Sequence, residues 1–320
     1  MTATTMDRPD FLKTWLVALR PFALPASTMP VIFGTVLALT IGGAGMHWGR
    51  FVAALFGMVL LHSGANLLND VYDYKKGIDR QVNPGSGAVV RGWISARDAL
   101  VAAWLLMALG AALGVWLLSE VGMPLFWIGA TGVVIGVIYS WGPLQLKYHA
   151  LGDLAVFLDF GVLGALGAWT VQTGTPSWVP AVWAVPMSLL VIGILHANNW
   201  RDIDSDRTGG IRTVANLLGD RHSQSYYGVL LFGPFVFVLG WIAVSWGAGI
   251  GPRMPFTFLV TLLALPLAIK LFRRGGARHS NDDPLDFAAL DGATAQLNLV
   301  FGVLCTAALG LDALVSHLSG

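Results

Sequence analysis

The chain has 320 residues, of which 55% are hydrophobic and 12% are charged, and its formal net charge is +1. Soluble globular domains carry about a quarter charged residues, so this composition excludes a soluble protein. It predicts an integral membrane protein surrounded by the lipid bilayer, and no nucleic-acid partner is expected. The single cysteine, Cys305, lies in an apolar run. It excludes a disulfide within the chain and is expected to act as a small apolar side chain.

Nine apolar runs have about the 17–25 residues that a membrane-spanning helix needs. The predicted fold is all-α, a single integral-membrane domain over residues 1–320 with nine transmembrane helices. In chain order, the helices are expected at about 21–41, 50–72, 97–119, 123–141, 152–172, 179–202, 224–246, 252–272 and 292–316. Residues 1–20 form the expected cytoplasmic N-terminal segment. Pro21, Pro25 and Pro30 predict a bent or broken first helix, because proline removes a donor and clashes with the preceding turn.

The distribution of charge predicts the orientation. Of the 19 basic residues, all but Arg50 and Arg253 lie in the N-terminal segment or in connections on one side of the predicted bundle. Basic residues concentrate in cytoplasmic connections. We therefore expect a multi-pass protein of the cell membrane, with its N-terminus and its active site on the cytoplasmic side.

The second predicted helix ends in amides and carboxylates. Asn66, Asn69, Asp70 and Asp73 stand at i, i+3, i+4 and i+7, so a helix places all four on one stripe. Carboxylates at the mouth of a membrane helix are costly unless they pair, reach water or bind a cation. Taken alone, this stretch fits a polar helix end as well as a functional site.

The sixth predicted helix ends in the same way. Asn199, Asp202 and Asp206 fall at i, i+3 and i+7, again on one helical face, and Asp204 points away from it. Two facing clusters of hard oxygen ligands are what Mg²⁺ uses when it binds a substrate diphosphate, so the repetition favours a site. The spacing also predicts two duplicated units, residues 21–141 and 152–272, followed by the ninth helix.

Basic residues beside the clusters are candidates for diphosphate binding. Arg91 follows the run Gly85-Ser86-Gly87, whose backbone N–H groups can bind an anion, and its planar donors match phosphate oxygens. Arg207 and Arg212 follow the second cluster and are candidates for the same role. Arg201 is expected to pair with a neighbouring carboxylate or to face solvent.

These residues resemble the motifs of the UbiA superfamily of intramembrane prenyltransferases, and within it the 1,4-dihydroxy-2-naphthoate prenyltransferases of menaquinone synthesis. The superfamily's N-D-x-x-D cluster with a further aspartate is matched by Asn69, Asp70, Asp73 and Asp79, and its D-x-x-x-D cluster by Asp202 and Asp206. The gap from Asp73 to Asp79 is similar to the menaquinone branch and longer than in the 4-hydroxybenzoate branch. Further similar stretches within residues 15–220 are Arg20-Pro21-x-x-Leu24-Pro25, Tyr139 to Asp153, and Val171-Gln172-Thr173-Gly174.

The resemblance implies a reaction and a set of residues. Mg²⁺ would stabilise the diphosphate as it leaves a polyprenyl diphosphate, and an electron-rich ring carbon would capture the allylic cation. With 1,4-dihydroxy-2-naphthoate as the acceptor, carbon dioxide is lost and demethylmenaquinone forms. The implied metal ligands are Asp70, Asp73, Asp79, Asp202 and Asp206, all but Asp79 also counted as catalytic. The implied substrate-binding residues are Asn66, Asn69, Arg91, Tyr139, Lys147, Asp153, Asn199, Arg207 and Arg212.

The second connection departs from the family pattern at one position. Family members often carry G-K-x-T where this chain has Gly210-Ile211-Arg212-Thr213. The resemblance therefore predicts that Arg212 replaces the missing lysine at the phosphate.

Some polar residues have a structural explanation beside a functional one. Asp159 lies in mid-span and must face the bundle interior, and Asp153 suits the capping of a helix N-terminus. His196 is expected to be a satisfied interior histidine. The faces of aromatic rings could stabilise the allylic cation, and the candidates are Tyr72, Tyr139, Trp141 and Tyr148. Trp141 and Tyr148, however, are expected to be interfacial anchors. The acidic run from Asp282 to Asp286 is expected to be a solvated loop.

Other functions fit parts of the pattern. A cation transporter also has intramembrane carboxylates, but here they stand at helix ends, with little beyond Asp159 to continue a path. A phosphatidyl-alcohol transferase is disfavoured because Tyr74-Lys75-Lys76 follows Asp73 where its D-x-x-D-G-x-x-A-R signature needs glycine. Among prenyltransferases, 4-hydroxybenzoate, homogentisate or a glycerol-phosphate lipid could replace the naphthoate as the acceptor.

Overall fold

The computed structural model describes residues 10–76, 87–278 and 287–319, and in these ranges the chain is built from helices. They are α1 (Phe11–Leu19), α2 (Pro25–Thr40), α3 (Trp48–Lys76), α4 (Ala96–Val121), α5 (Met123–Ser140), α6 (Gly152–Thr173), α7 (Trp178–Trp183), α8 (Val185–Arg201), α9 (Ile203–Thr208), α10 (Val214–Gly247), α11 (Phe256–Gly276) and α12 (Leu290–Ser319). Within α6, Phe157–Leu163 is π-helical. The first part of α11, Phe256–Ala264, is a 3₁₀-helix.

Hydroxyl side chains fix where several helices begin. Ser95 Oγ accepts the Asp98 backbone N–H at 3.0 Å at the start of α4, and it donates to the Asp98 carboxylate at 2.7 Å. Thr213 accepts the Asn216 N–H at 3.2 Å at the start of α10. Such caps satisfy backbone donors that have no partner within the helix. Both helices begin at the end of the bundle where α3, α5 and α8 finish, which we name the site face.

Seven of the described helices are long and apolar enough to cross a membrane, namely α3, α4, α5, α6, α10, α11 and α12. The first segment adds an eighth candidate, in which Phe11–Ala23 and Pro25–Thr40 meet at 52°. The bend predicted from the prolines is thereby confirmed. The sixth predicted span is interrupted at Ala184, and its parts α7 and α8 have 6 and 17 residues. Nine transmembrane helices therefore stay a prediction.

The N-terminal segment contains a helix that the sequence analysis did not predict. Asp10 accepts the Lys13 backbone N–H at 2.9 Å at the start of α1. Thr14 and Ala18 are buried, whereas Phe11 and Leu12 are exposed. An apolar exposed face next to a membrane bundle suits a helix that lies at the bilayer surface.

The helices pack in a pattern that repeats along the chain. α3 packs most extensively against α4, and α8 packs in the same way against α10. These are the second and third helices of the two predicted units. α2, which begins the first unit, packs against the second half of α6, which begins the other. The duplication itself stays a prediction.

The large buried side chains lie mainly in the second half of the chain. One apolar cluster, formed by α2 and α6 to α12, contains Trp183, Trp200, Tyr227, Phe258 and Phe301. Helices α2 to α6 and α8 surround a cavity. Helices of both predicted units therefore enclose the cavity, and the packed cluster supports it from the second half of the chain.

The orientation can be tested by cysteine labelling. Thr208 and Thr175 are exposed at opposite ends of the bundle, so Thr208→Cys and Thr175→Cys are matched reporters in a Cys305→Ala background. Because basic residues cluster at the site face, we expect an impermeant maleimide on intact cells to label Thr175→Cys and to spare Thr208→Cys. Both should react after lysis. Labelling of Thr208→Cys from outside, with Thr175→Cys protected, would overturn the predicted orientation.

Candidate functional site

A cavity of about 520 Å³ opens between α2, α3, α4, α5, α6 and α8. One face of α3 lines it from Ala53 to Asn69, a length of about 24 Å at 1.5 Å per residue. Its walls are mostly alanine, glycine, leucine, valine and isoleucine. Its polar end, at the site face, is lined by Arg20, Asn66, Asn69, Lys147, Asn198 and Asp291. The cavity thus joins a long apolar chamber to a compact polar mouth.

The first polar cluster keeps its predicted place on α3. Asn66 and Asn69 line the cavity, whereas Asp70 and Asp73 are only 1% and 3% exposed. The two carboxylates therefore lie behind the amides rather than at the cavity surface. At such burial each carboxylate needs a compensating cation.

Basic side chains from two distant segments supply these cations. Arg20, at the bend after α1, forms an ion pair with Asp70. Lys147 Nζ forms an ion pair with Asp73 and donates to Asn69 Oδ1 at 2.7 Å. Tyr148 Oη donates to the other oxygen of Asp73 at 2.7 Å. The connection between α5 and α6 is therefore bound to the end of α3.

The same connection is also tied to the segment between α9 and α10. The Ala150 N–H donates to the Arg212 carbonyl at 2.6 Å, and the Arg212 N–H donates to the Tyr148 carbonyl at 3.2 Å. Ile211 is buried against Tyr148. The isoleucine that replaces the family's lysine thus supports the tyrosine that binds Asp73. The Arg212 side chain is exposed, and its predicted phosphate contact stays untested.

The second cluster does not lie on one continuous helix, and this corrects the prediction of a single face. The helix α8 ends at Arg201, Asp202 has φ −97° and ψ 13°, and α9 begins at Ile203. Asn199 and Asp206 are buried, whereas Asp202 is partly exposed. The break arises without proline or glycine. Asp204 is exposed, whereas Asp206 on the same short helix is buried.

Asp202 is held by its neighbour. Arg201 Nε and Nη2 each donate to one oxygen of Asp202 at 2.9 Å, which confirms the expected pairing of Arg201. Arg201 Nη1 also donates to Asp291 Oδ2 at 3.2 Å. Asn198 Nδ2 donates to the same oxygen at 3.3 Å. Arg201 therefore lies between two carboxylates, one of which belongs to α12.

Four other predicted site residues occupy different surroundings. Tyr139 lines the cavity, and Arg207 is exposed. Asp153 is buried and accepts a hydrogen bond from Tyr226 Oη at 3.1 Å. Asp153 stands in the first turn of α6, as predicted, where the helix dipole favours a carboxylate, but the N-cap is Leu151 and no side chain caps the helix. Arg91 lies outside the membrane spans with its guanidinium 4.6 Å from the centre of the Trp93 ring, and partial burial lowers its pKa.

Several remaining expectations can be compared with the structure. Asp159 lines the cavity, as its interior position predicted. His196 is buried, as expected, with Nε2 3.1 Å from the Ser223 carbonyl oxygen. Its Nδ1, however, is buried without a hydrogen-bond partner among the described residues, so only one of its two ring nitrogens is satisfied. Cys305 is buried in the apolar core. Asp79 and the run from Asp282 to Asp286 lie outside the described residues.

The donor chemistry of the site fits magnesium. Asp70 Oδ2 is buried without a hydrogen-bond partner, and a carboxylate oxygen left in this way is available to a hard cation. In the described part of the chain, no three of the aspartate, glutamate, histidine and cysteine side chains form a ready-made metal cluster. Asp70, Asp73 and Asp202 are instead paired with Arg20, Lys147 and Arg201. A bound Mg²⁺ must therefore share these oxygens with the cations or replace them.

The sequence analysis missed three site residues. Arg20 was used only for topology and motif matching. Tyr148 was expected at the membrane interface, but it is 6% exposed and binds Asp73, so that interpretation is wrong. Asp291 stands at the start of α12. The one sequence signal for a site residue there was an isolated acid directly before an apolar run.

Comparison with known proteins gives matches over nearly the whole chain. The profile described as UbiA prenyltransferase family matches residues 27–289. The chain is 32% identical over 302 residues to the UbiA prenyltransferase domain-containing protein 1 homolog of Drosophila melanogaster, covering 92% of this chain and 78% of that protein. It is 31% identical over 293 residues to UbiA prenyltransferase domain-containing protein 1 of Homo sapiens, covering 91% and 81%.

A solved structure shares the fold. A UbiA homolog from Archaeoglobus fulgidus bound to GPP and Mg²⁺ superposes with a TM-score of 0.62 and 18% identity, covering 92% of this chain and 99% of that one. At this identity the likeness concerns the arrangement of helices.

Proposed function

The chain belongs to the UbiA prenyltransferase family, and from this premise we propose that it transfers a polyprenyl group from an allylic diphosphate to 1,4-dihydroxy-2-naphthoate. Membership of this family identifies the chain as a prenyltransferase. Its long apolar helices suit a membrane protein. The finer proposal is a magnesium-dependent reaction that loses carbon dioxide and gives demethylmenaquinone. The donor is a polyprenyl diphosphate, and the acceptor is the aromatic ring.

The shape of the cavity is the observation that carries this proposal. Its apolar walls extend along α3 for about 24 Å, which suits a polyprenyl tail. Its polar mouth combines Lys147 and Arg20 with the amides of Asn66 and Asn69. A diphosphate with a long apolar tail matches both parts, because ligand sites are mostly apolar with a few placed polar groups.

The chain's own residues then have distinct roles. Lys147 offers diphosphate oxygens a charged donor at the mouth, and Arg91, Arg207 and Arg212 are further candidates from the connections. Mg²⁺ held by the two aspartate clusters, with Asp79, would neutralise the diphosphate as it leaves. The apolar wall would exclude water, so that the allylic carbon reacts with the acceptor ring and is not captured by water.

The acceptor assignment rests on motif spacing. The separation of Asp73 and Asp79, the sequence Asn198-Asn199-x-Arg201-Asp202, and Val171-Gln172-Thr173-Gly174 resemble the menaquinone branch. Gln172 lies far from the polar mouth, where its Oε1 accepts the His47 backbone N–H at 2.9 Å. The Gln172 side chain therefore holds the loop between α2 and α3 in place by a hydrogen bond and does not contact an acceptor at the polar mouth.

The test is product analysis in two settings. In a host lacking its own naphthoate prenyltransferase, expression of the chain should restore menaquinone, detected by mass spectrometry. The purified protein with geranyl diphosphate should prenylate 1,4-dihydroxy-2-naphthoate in preference to 4-hydroxybenzoate, homogentisate and a glycerol-phosphate lipid. Activity should fall to background in excess EDTA and return with Mg²⁺. Prenylation of another acceptor alone would contradict the assignment, and full activity in EDTA would contradict the metal.

A further inference from the structure

Asp159 is a carboxylate that the proposed reaction has not yet used. It lies on the π-helical turn Phe157–Leu163 in the middle of α6, and its side chain lines the cavity. No described residue donates a hydrogen bond to it or forms an ion pair with it. The π-helical turns of proteins are rare and frequently occur at functional sites. This turn aims an unpartnered acid into the chamber.

Glycines on α5 leave the carboxylate open. A Cβ placed on Gly132 would lie 2.9 Å from Asp159 Oδ1, and one on Gly136 would lie 3.7 Å from Oδ2. Any side chain at Gly132 would therefore displace the carboxylate. The small residues of α5 face the acid and provide space for it without giving it a hydrogen-bond partner.

An apolar tail is a poor neighbour for such a group. A carboxylate that loses water without gaining a hydrogen bond is strongly disfavoured in an apolar setting. A polyprenyl chain has no donor to offer. A ligand with a hydroxyl group supplies one, and hydrogen bonds to a charged acceptor are among the stronger ones in proteins.

The distance of Asp159 from the polar mouth also favours a ligand with a hydroxyl group. Its neighbour Phe160 packs on His62 with ring centroids 4.5 Å apart. His62 precedes Asn66 of the polar mouth by one turn of α3, about 6 Å along the axis. A prenyl diphosphate whose phosphates occupy the mouth therefore places its first carbon near this level, where the acceptor ring must approach.

From these observations we propose that Asp159 binds the aromatic acceptor by accepting a hydrogen bond from one of its ring hydroxyls. The proposal deepens the prenyltransferase function and rests on it. Asp159 holds the hydroxyl so that the adjacent ring carbon faces the allylic carbon. Gly132 is part of the same subsite, because its lack of a side chain sets the space between carboxylate and ring.

Binding and kinetics of the full-length protein in nanodiscs test the proposal. For Asp159→Leu, we expect Kd and KM for 1,4-dihydroxy-2-naphthoate to rise about 10- to 100-fold, as for loss of a hydrogen bond to a charged group. The KM for geranyl diphosphate should stay within about threefold. Asp159→Asn keeps a carbonyl acceptor and should fall between wild type and Asp159→Leu. Isothermal titration gives Kd without turnover.

A matched ligand separates hydrogen bonding from packing. The 1,4-dimethoxy analogue has no hydroxyl donor, so wild type should bind it weakly, and Asp159→Leu should bind both ligands alike. Gly132→Ala should also raise the acceptor Kd. Thr131→Ala is its control. Thr131 directly precedes Gly132 on α5 and is exposed, so this substitution should leave the acceptor Kd unchanged.

The outcomes distinguish the inference from the function on which it rests. Unchanged acceptor Kd in Asp159→Leu, or a change confined to the KM for geranyl diphosphate, would overturn the role of Asp159. Failure of wild type to prenylate any hydroxyaromatic compound would instead overturn the proposed function, and acceptor Kd would still show whether the subsite exists.

Discussion

Asp70→Asn and Asp202→Asn are each expected to lower kcat by about 10²- to 10³-fold, the usual effect of removing a group that stabilises transition-state charge. Each substitution removes a charged candidate metal ligand and keeps nearly the same volume, so loss of packing is not the expected cause. Asp70 is buried behind Asn66 and Asn69, whereas Asp202 is held by Arg201 at the break between α8 and α9.

The double variant provides the sharper measurement. If both clusters hold one metal–diphosphate unit, the losses should be strongly non-additive, as for groups that act together. Asp204→Asn is the matched control, because Asp204 is exposed on the same short helix as Asp206 and should retain nearly full turnover. Product formation is measured from geranyl diphosphate and dihydroxynaphthoate and normalised to folded protein. Wild-type activity in Asp202→Asn would show that the second cluster is only a polar helix end and does not take part in the reaction.

Local periodicity predicted the first half of the site. The i, i+3, i+4, i+7 spacing requires only that α3 be a helix, so the common stripe of Asn66 to Asp73 did not depend on the rest of the fold. The prolines likewise predicted the bend before α2, since their effect is confined to one turn. The interior position of Asp159 was predicted correctly, because exposing a carboxylate to lipid is costly.

Long-range partners were beyond such reasoning. Lys147 is 74 residues from Asp73, and Asp291 is 90 residues from Arg201. No periodicity connects positions so far apart. The break at Asp202 was also missed, because it contains neither proline nor glycine and is accompanied by the local Arg201–Asp202 ion pair. The sequence could not show which apolar residues line the cavity and which pack in the core, because both sets consist of the same residue types.

The cations found on the carboxylates have a consequence for metal binding. Arg201 contacts both Asp202 and Asp291, so Asp291 can keep the arginine when Asp202 turns to a metal. Lys147 and Arg20 line the cavity mouth and can move from carboxylates towards diphosphate oxygens. The same basic side chains thus stabilise the buried acids in the metal-free protein, and in the reaction proposed above they would also provide positive charge for the diphosphate.

Arg20→Gln should therefore destabilise the metal-free protein more than any surface substitution. It leaves Asp70, 1% exposed, without its cation, and breaking a buried ion pair in this way costs about 3–5 kcal/mol. We expect the lower end, about 3 kcal/mol, because the Arg20 side chain is itself 15% exposed. Arg50→Gln is the matched control. Its partner Glu120 is 42% exposed at 3.4 Å, and exposed pairs contribute at most about 1 kcal/mol.

Metal then distinguishes loss of charge compensation from simple misfolding. A Mg²⁺ ion at Asp70 supplies the positive charge that the substituted glutamine lacks, so Mg²⁺ should raise the melting temperature of Arg20→Gln more than that of wild type, where it must compete with the arginine. Thermal unfolding of the detergent-solubilised protein in EDTA and in Mg²⁺ measures both effects. Equal melting of Arg20→Gln and wild type in EDTA would show that Asp70 does not depend on Arg20. An equal rise on adding Mg²⁺ would show that the metal does not replace the arginine at Asp70.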